Sequence, residues 1–480
     1  LYQKFKNNTY LNFNFDFSYN DADADLFTNE TTNYLDSIDI RNNYQRNFCK
    51  TSSYTMDLNY NFALSDSIQL ALGTIWNRNI DSNQNKTWDF DAINNSYDDY
   101  NDELSRLYET TFSRWNPYTQ FTLNKTAWMV NIRLGTNIYH QNSFGSYRSR
   151  DYEVNKEKIS PAIESNFRYK NGNNTYSLSY RYNTGLASTT QLLAFEDLSS
   201  TLNIVRGNLN LDTTRSHNVN FFYSNFDRKT RQGFNASLGY NYEESGIINM
   251  TTYDENFVRY TTYENSSGNY RLNGFLNWNK QLTKGIHKFR ANIGLNASYA
   301  RQQSYVSNEL AQAYISSIGP SIRLNWDYGD YLSLSPSYQM RYAASDYINN
   351  VLDRSHNLNH NFGLRTITSW PKNLVWTNNF TYSNNSRMAA GFKRDFFLWN
   401  TQLMYRFLDD KLEAGVKVYD ILNQNNSYTR SITDEAITDE RNTILTRFVM
   451  FSVSLNLNQF GGKSRSPENN RPPNPAIDGF

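Results

Sequence analysis

A chain of 480 residues with 47 Lys and Arg against 46 Asp and Glu carries a formal net charge of +1. That balance gives no electrostatic reason to expect nucleic acid, which selects a clearly basic face. Only 38% of residues are hydrophobic while 16% are aromatic, and mean hydropathy is −0.75, so no stretch approaches the roughly 20 apolar residues of a membrane-spanning helix.

A membrane is not excluded by these figures, because strands of a closed β-barrel meet lipid with one face only. No charged and apolar leader opens the chain, whose first residues lead straight into a strand, as expected of a mature or partial polypeptide. Leu11, Phe13, Phe15, Phe17 and Tyr19 alternate with Asn12, Asn14, Asp16, Ser18 and Asn20. Successive side chains on a strand point to opposite faces, so one face of this stretch is apolar and the other polar. Where the pattern stops, Asp21, Asp23 and Asp25 follow.

The alternation then recurs. Tyr54, Met56, Leu58, Tyr60 and Phe62 form a second such row, and a tight turn at Ser65, Asp66 and Ser67 leads into Ile68, Leu70 and Leu72. Later rows include Tyr176 to Tyr182, Phe234 to Tyr242, Phe289 to Tyr299, Leu332 to Met340, Leu412 to Val418 and Val449 to Leu457. Such segments number about 18, each long enough to cross a bilayer at about 9 to 11 residues. Connections alternate between short and long. Short turns are expected near 64–67, 124–125, 170–174, 227–231, 283–287, 327–330, 370–373 and 408–411. Long polar loops are expected at 27–39, 80–106, 141–152, 183–213, 245–259, 301–311, 343–354, 384–393 and 423–441. In an up-and-down barrel this parity places short turns on one rim and long loops on the other. Trp76, Trp278, Trp326, Trp376 and Trp399 fall toward strand ends, as aromatic girdles at the membrane interface do.

After Phe460 the character changes, with Pro467, Pro472, Pro473 and Pro475 in a short run. The reading is therefore a barrel over 1–462 and a proline-rich periplasmic tail over 463–480.

Residues that carry chemistry are sparse. Cys49 is alone, so it makes neither an internal disulfide nor a metal cluster. The five histidines show no metalloenzyme spacing, and the nearest pair, His356 and His360, shares a strand face of mixed character. No enzyme activity and no cofactor are expected. Asp89, Asp91, Asp98, Asp99 and Asp102 crowd one long loop and are candidates for structural Ca2+, with simple loop solvation as the plainer alternative. Arg133, Arg168, Arg181, Arg271, Arg290 and Arg341, together with Glu164, fall in the polar register and are expected to face the lumen.

Three strings carry a resemblance. Gly207-Asn208-Leu209-Asn210-Leu211 with Ser216-His217-Asn218, Val418-Tyr419-Asp420-Ile421-Leu422-Asn423-Gln424-Asn425, and Leu445-Thr446-Arg447-Phe448-Val449-Met450-Phe451-Ser452 occur in that order. Together with the strand pattern from about Tyr10 to Gly462, they resemble the TonB-dependent receptor-like outer-membrane β-barrels of Bacteroidota. The resemblance implies a barrel of about 22 strands, a plug in its lumen and a segment that reaches TonB. Neither plug nor coupling segment is present in these residues, so the expectation is the C-terminal part of such a barrel, with plug and about four strands ahead of Leu1. A closed, plugless barrel of about 18 strands is the alternative.

The expected fold is thus an all-β, transmembrane, antiparallel up-and-down β-barrel in the outer membrane, with long loops outside and the C-terminus in the periplasm. The expected function is TonB-driven uptake of a nutrient or other ligand. The alternatives are a passive porin, and a structural or assembly barrel that binds surface lipoproteins in an outer-membrane complex. Expected partners are outer-membrane lipid, the TonB system and such lipoproteins.

Overall fold

The computed structural model describes residues 1–5, 9–34, 37–348, 354–387, 394–408, 411–424, 428–432, 437–441, 446–455, 459–460 and 463–464. The proline-rich run expected after Phe460, and parts of the connections expected at 343–354, 384–393, 408–411 and 423–441, lie outside the described residues.

One sheet of 23 strands dominates the described residues, and the helix among them is a single turn, Thr189–Leu192. Eighteen of these strands build its wall. They are β1 (Tyr10–Asn33), β2 (Ile38–Ala63), β3 (Ile68–Asp91), β4 (Arg106–Asn124), β5 (Trp128–Tyr147) and β6 (Arg150–Asn171). Next come β7 (Asn174–Gly185), β8 (Thr214–Asp227), β9 (Gln232–Tyr253), β10 (Tyr270–Lys284), β11 (His287–Val306) and β12 (Glu309–Tyr328). The wall ends with β13 (Leu332–Ile348), β14 (Ser355–Thr368), β15 (Leu374–Asn385), β16 (Asp395–Phe407), β17 (Leu412–Tyr419) and β18 (Phe448–Leu455). Each pairs antiparallel with the next in sequence. This is an up-and-down order, in which backbone donors in the wall find partners on the neighbouring strands in sequence.

Short connections gather on one rim, at 64–67, 125–127, 172–173, 228–231, 285–286, 329–331 and 369–373, where the sequence places them. The other rim differs from expectation. In place of long polar loops, most strands simply run on: β1 and β2 meet across 34–37, β5 and β6 across 148–149, and β11 and β12 across 307–308. β3 reaches Asp91 and pairs back with Ser96–Tyr100, and β9 reaches Tyr253 and pairs back with Arg259–Ser266. The physical reason lies in the pattern used to find strands. Alternation requires one oily and one wet side, and beyond the lipid both sides are wet, although backbone pairing continues.

Register fixes the two faces. On the outward face stand Phe15 (47% exposed) and Phe451 (79%), with Leu72, Leu134, Leu238 and Ile293. The most buried side chains of the strands are polar instead: Asn43 (1%), Thr87 (0%), Ser143 and Thr251. An inside-out distribution of this kind, with far more contiguous apolar surface than a soluble protein exposes, is what lipid as solvent demands. The apolar band ends where outward charges begin. Asp21 meets Lys50 at 3.6 Å, and Arg46 reaches Asp23 at 3.2 Å, just past Tyr19 and Tyr54 in the same outward rows. From Leu11 to Tyr19 the band therefore takes about 9 residues of β1, the crossing length of a tilted strand.

All five tryptophans picked from sequence lie on the outward face. Trp326 and Trp376 stand near the short-turn rim, whereas Trp76 and Trp399 stand near the upper edge of the band and Trp278 between the two levels. Trp115, beside Trp76 in register, joins the upper group.

The edges of the wall are not joined to each other by any ladder among the described residues. The far edge of β1 carries Tyr2–Lys4 along Tyr10 to Asn12 only, and β18 is paired to β17.

Candidate functional site: the inner face of the wall

The six arginines singled out in the sequence all occupy the polar face in the observed register. The structure divides them. Arg133 is clamped: its guanidinium donates to Gln120 Oε1 at 3.0 and 2.8 Å, lies 4.3 Å from the Tyr118 ring centroid, and approaches Glu164 at 3.8 Å. Arg181 meets the same Glu164 at 2.7 Å, so one carboxylate serves two cations across three neighbouring strands. Arg290 pairs with Asp327 at 2.7 Å and donates to Asn325. Arg168, Arg271 and Arg341 have no hydrogen-bond or ion-pair partner among the described residues, and neither does Arg323, which the sequence reading passed over.

Toward the long-hairpin rim the inner face is covered by a feature that the sequence reading treated as a plain polar loop. The connection 186–213 folds into a compact element. Ser188 caps its helical turn, Gln191 N donating to Ser188 Oγ at 3.4 Å and Ser188 N to Gln191 Oε1 at 3.0 Å, a reciprocal box that satisfies two otherwise orphaned donors. Leu192, Leu193, Phe195, Ala187 and Leu211 then pack against Tyr147 and Val154 of the wall, with Tyr108, Tyr152, Ile247 and Tyr263 around them. Phe195 is held between rings, 5.3 Å from Tyr147 and 5.1 Å from Tyr108.

Polar contacts carry this element across to the first strands. Arg106 pairs with Asp197, Arg41 donates to Leu198 O at 2.8 Å, and Thr201 accepts from Thr32 at 2.9 Å and donates to Glu30 at 3.0 Å. On its other side Asn203–Arg206 runs parallel to the strand Arg259–Ser266. The return leg holds the string Gly207 to Leu211. A Cβ at Gly207 would collide with Leu193 O, so only glycine lets the backbone pass there, and Asn208 donates to Gln191 O and Tyr263 O at 2.7 and 2.8 Å. Asp212 closes the leg against Lys158 at 3.1 Å; the Thr213 N–H and the Lys158 ammonium hold its carboxyl below the ordinary value. The signal for this element was present in sequence as the apolar run Leu192, Leu193, Ala194, Phe195 inside a polar connection.

Below this apolar cap the inner face is mainly polar and open, with Phe222, Phe226 and Phe275 exposed on it. Two recesses, of about 620 and 500 Å³, indent it on β8 to β13; the second is lined mainly by Asn, Ser, Gln and Gly, with Arg341 and Phe275.

The acidic run behaves differently. Asp89 and Asp99 face each other across a hairpin, Asp89 accepting from Asn101 at 2.7 Å. Asp91 accepts from Ile93 N and Asn94, and Asp98 from Ser96, while Asp102 stands in the turn beyond. Among the described residues no three His, Cys, Asp or Glu side chains converge as metal ligands. His360 is hydrogen-bonded to Tyr338 at 2.8 Å on the outward face.

The outer membrane protein beta-barrel family model matches residues 3–325 and 312–456. No curated protein matches the chain. Solved structures that it is similar to include the copper transporter OprC, at 8% identity and TM-score 0.41, covering 86% of this chain and 74% of that one. The siderophore receptor PirA from Pseudomonas aeruginosa matches at 10% identity and TM-score 0.38, covering 90% and 80%. OmpT, an outer membrane protein of Vibrio cholerae, matches at 10% identity and TM-score 0.28, covering 92% and 99%.

Proposed function

As this chain belongs to the outer membrane protein β-barrel family, we propose that it is the wall of a TonB-dependent uptake barrel for a nutrient or other ligand. The observation that carries this reading is the inner face itself. It is largely polar, bears arginines with no counter-ion among the described residues, and is covered at one end by a folded element. In this reading the long-hairpin rim is extracellular and the short-turn rim periplasmic, where β18 ends. Unpaired backbone in hydrocarbon costs several kcal/mol per group, so the edges of β1 and β18 call for further pairing. Further strands of the same protein, about 22 in all, would supply it, together with a plug and a TonB-reaching segment. A bacterial origin among Bacteroidota belongs to this reading too.

The test is uptake in cells that express the complete protein, with and without TonB. Energy-dependent accumulation that disappears without TonB is the expected result. Steady ion conductance of the purified protein in planar bilayers would instead make it a passive porin. Stoichiometric co-purification with surface lipoproteins, without uptake, would make it an assembly barrel.

A further inference from the structure

The recess of about 620 Å³ lies on the inner face near the short-turn rim, on strands far from either open edge. Its lining includes Arg231, Arg290 and Arg323, with Asn279, Asn292 and Asn325 between them. Register places Arg290 opposite Asn325 and Arg323 opposite Asn292 on the adjoining strand. The two guanidinium-bearing positions are thus diagonal neighbours, about 7–8 Å apart along the sheet.

Their charges are not balanced locally. Asp327 is engaged by Arg290 at 2.7 Å and by Ser333 at 2.8 Å. Arg231 has only a neutral partner, Thr283 Oγ1 at 3.1 Å, and Arg323 has none among the described residues. Lys288, opposite Asp327 in register, adds a further cation to the same face. By contrast Arg133 and Arg181 share Glu164, and Arg168, Arg271 and Arg341, though without a partner among the described residues, do not line this recess. Like charges held together in a concave site repel one another, and the fold gains nothing from leaving them unpaired. A ligand with two or more negative charges removes that repulsion. The guanidinium fork matches carboxylate and phosphate oxygens in pairs of parallel hydrogen bonds, and amide NH2 groups supply additional donors.

We propose that this recess is a binding site for a small multivalent oxyanion, a phosphate- or carboxylate-bearing molecule, held by Arg231, Arg290 and Arg323. The inference goes beyond uptake: binding here does not depend on the barrel transporting anything.

The experiment titrates pyrophosphate and, separately, citrate into the purified complete protein in detergent micelles, by calorimetry at low and at moderate salt. Saturable one-site binding that weakens with salt is expected for one or both anions. Pyrophosphate alone defines a phosphate site, citrate alone a carboxylate site, and both together a general oxyanion site. Arg323→Gln and Arg231→Gln, each checked for folding by heat-modifiable electrophoretic mobility, are expected to weaken binding at least tenfold. Arg271→Gln, an inner-face arginine outside the recess, is expected to leave it within twofold. Absence of saturable binding to the wild-type protein overturns the proposal. So does an equal loss in Arg271→Gln, which would mean diffuse lumen charge, or unchanged binding in both recess variants.

Discussion

The two ends of the inner face solve opposite problems with the same wall. Near the long hairpins the face is dry: Leu192 and Leu193 are each 1% exposed, and Phe195 fills a slot between tyrosines. Away from that cap the face is wet, with arginines, amides, an open recess near the short turns and a second one at mid-wall. The difference teaches that inward register alone does not decide polarity of environment. A returning stretch of chain, able to bring its own apolar side chains, converts a solvated surface into a core, and 186–213 does this only at one end.

If that comparison holds, perturbations of equal chemical size should cost much at the dry end and little at the wet one. The largest effect is expected from Leu193→Asp, which buries a charge with no partner in the loop core. It should undock 186–213 at a cost above about 3 kcal/mol, read as rapid proteolysis of the loop while the wall keeps its heat-modifiable mobility. Gly207→Val comes next. The added side chain meets the Leu193 carbonyl, and about 1–3 kcal/mol of overpacking should loosen the return leg, seen as faster amide exchange at Asn208. Glu164→Gln, midway in severity, leaves Arg133 and Arg181 without their shared anion. With these groups about a third or more exposed, thermal stability should fall by only about 1 kcal/mol. Arg341→Ala, in the wet mid-wall recess, should change stability by less than about 0.5 kcal/mol, because the side chain has no partner among the described residues to lose. Melting curves that gave Arg341→Ala a cost near that of Leu193→Asp would abolish the distinction between the two ends.

Much of the wall was legible beforehand because its code is local. Leu11 to Tyr19 alternate, Ser65 to Ser67 turn, and each strand pairs with its successor in the chain. The six arginines share the polar register for the same reason. Less legible were the strand extensions past Tyr19 and Ile80, where alternation ends but pairing does not. Loop 186–213 was the chief omission. Its apolar run is visible in sequence, yet its partners Tyr108, Tyr147 and Ile247 are dozens of residues away in both directions. Two of the resembling strings acquired physical roles only in the fold. Gly207 is a point of backbone contact, and Asp420, 2% exposed with φ at 47°, anchors the turn after β17 by accepting from Gln424 N at 2.9 Å.

By itself, then, the sequence determined the strands that cross the bilayer, the rim of short turns, the oily and wet faces, and membership in a class of wall that lives in lipid. These derive from a period of two and from turn residues, both set by neighbours along the chain. Only the tertiary structure decided which inner-face arginines are neutralised and which have no partner among the described residues, and where a loop becomes a core. It also decided that the first stave, Tyr10–Asn33, meets no ladder from Phe448–Leu455 among the described residues. Each of those depends on groups brought together across many strands, and the distance between them in space is set by register and curvature accumulated around the whole wall, not by any local pattern.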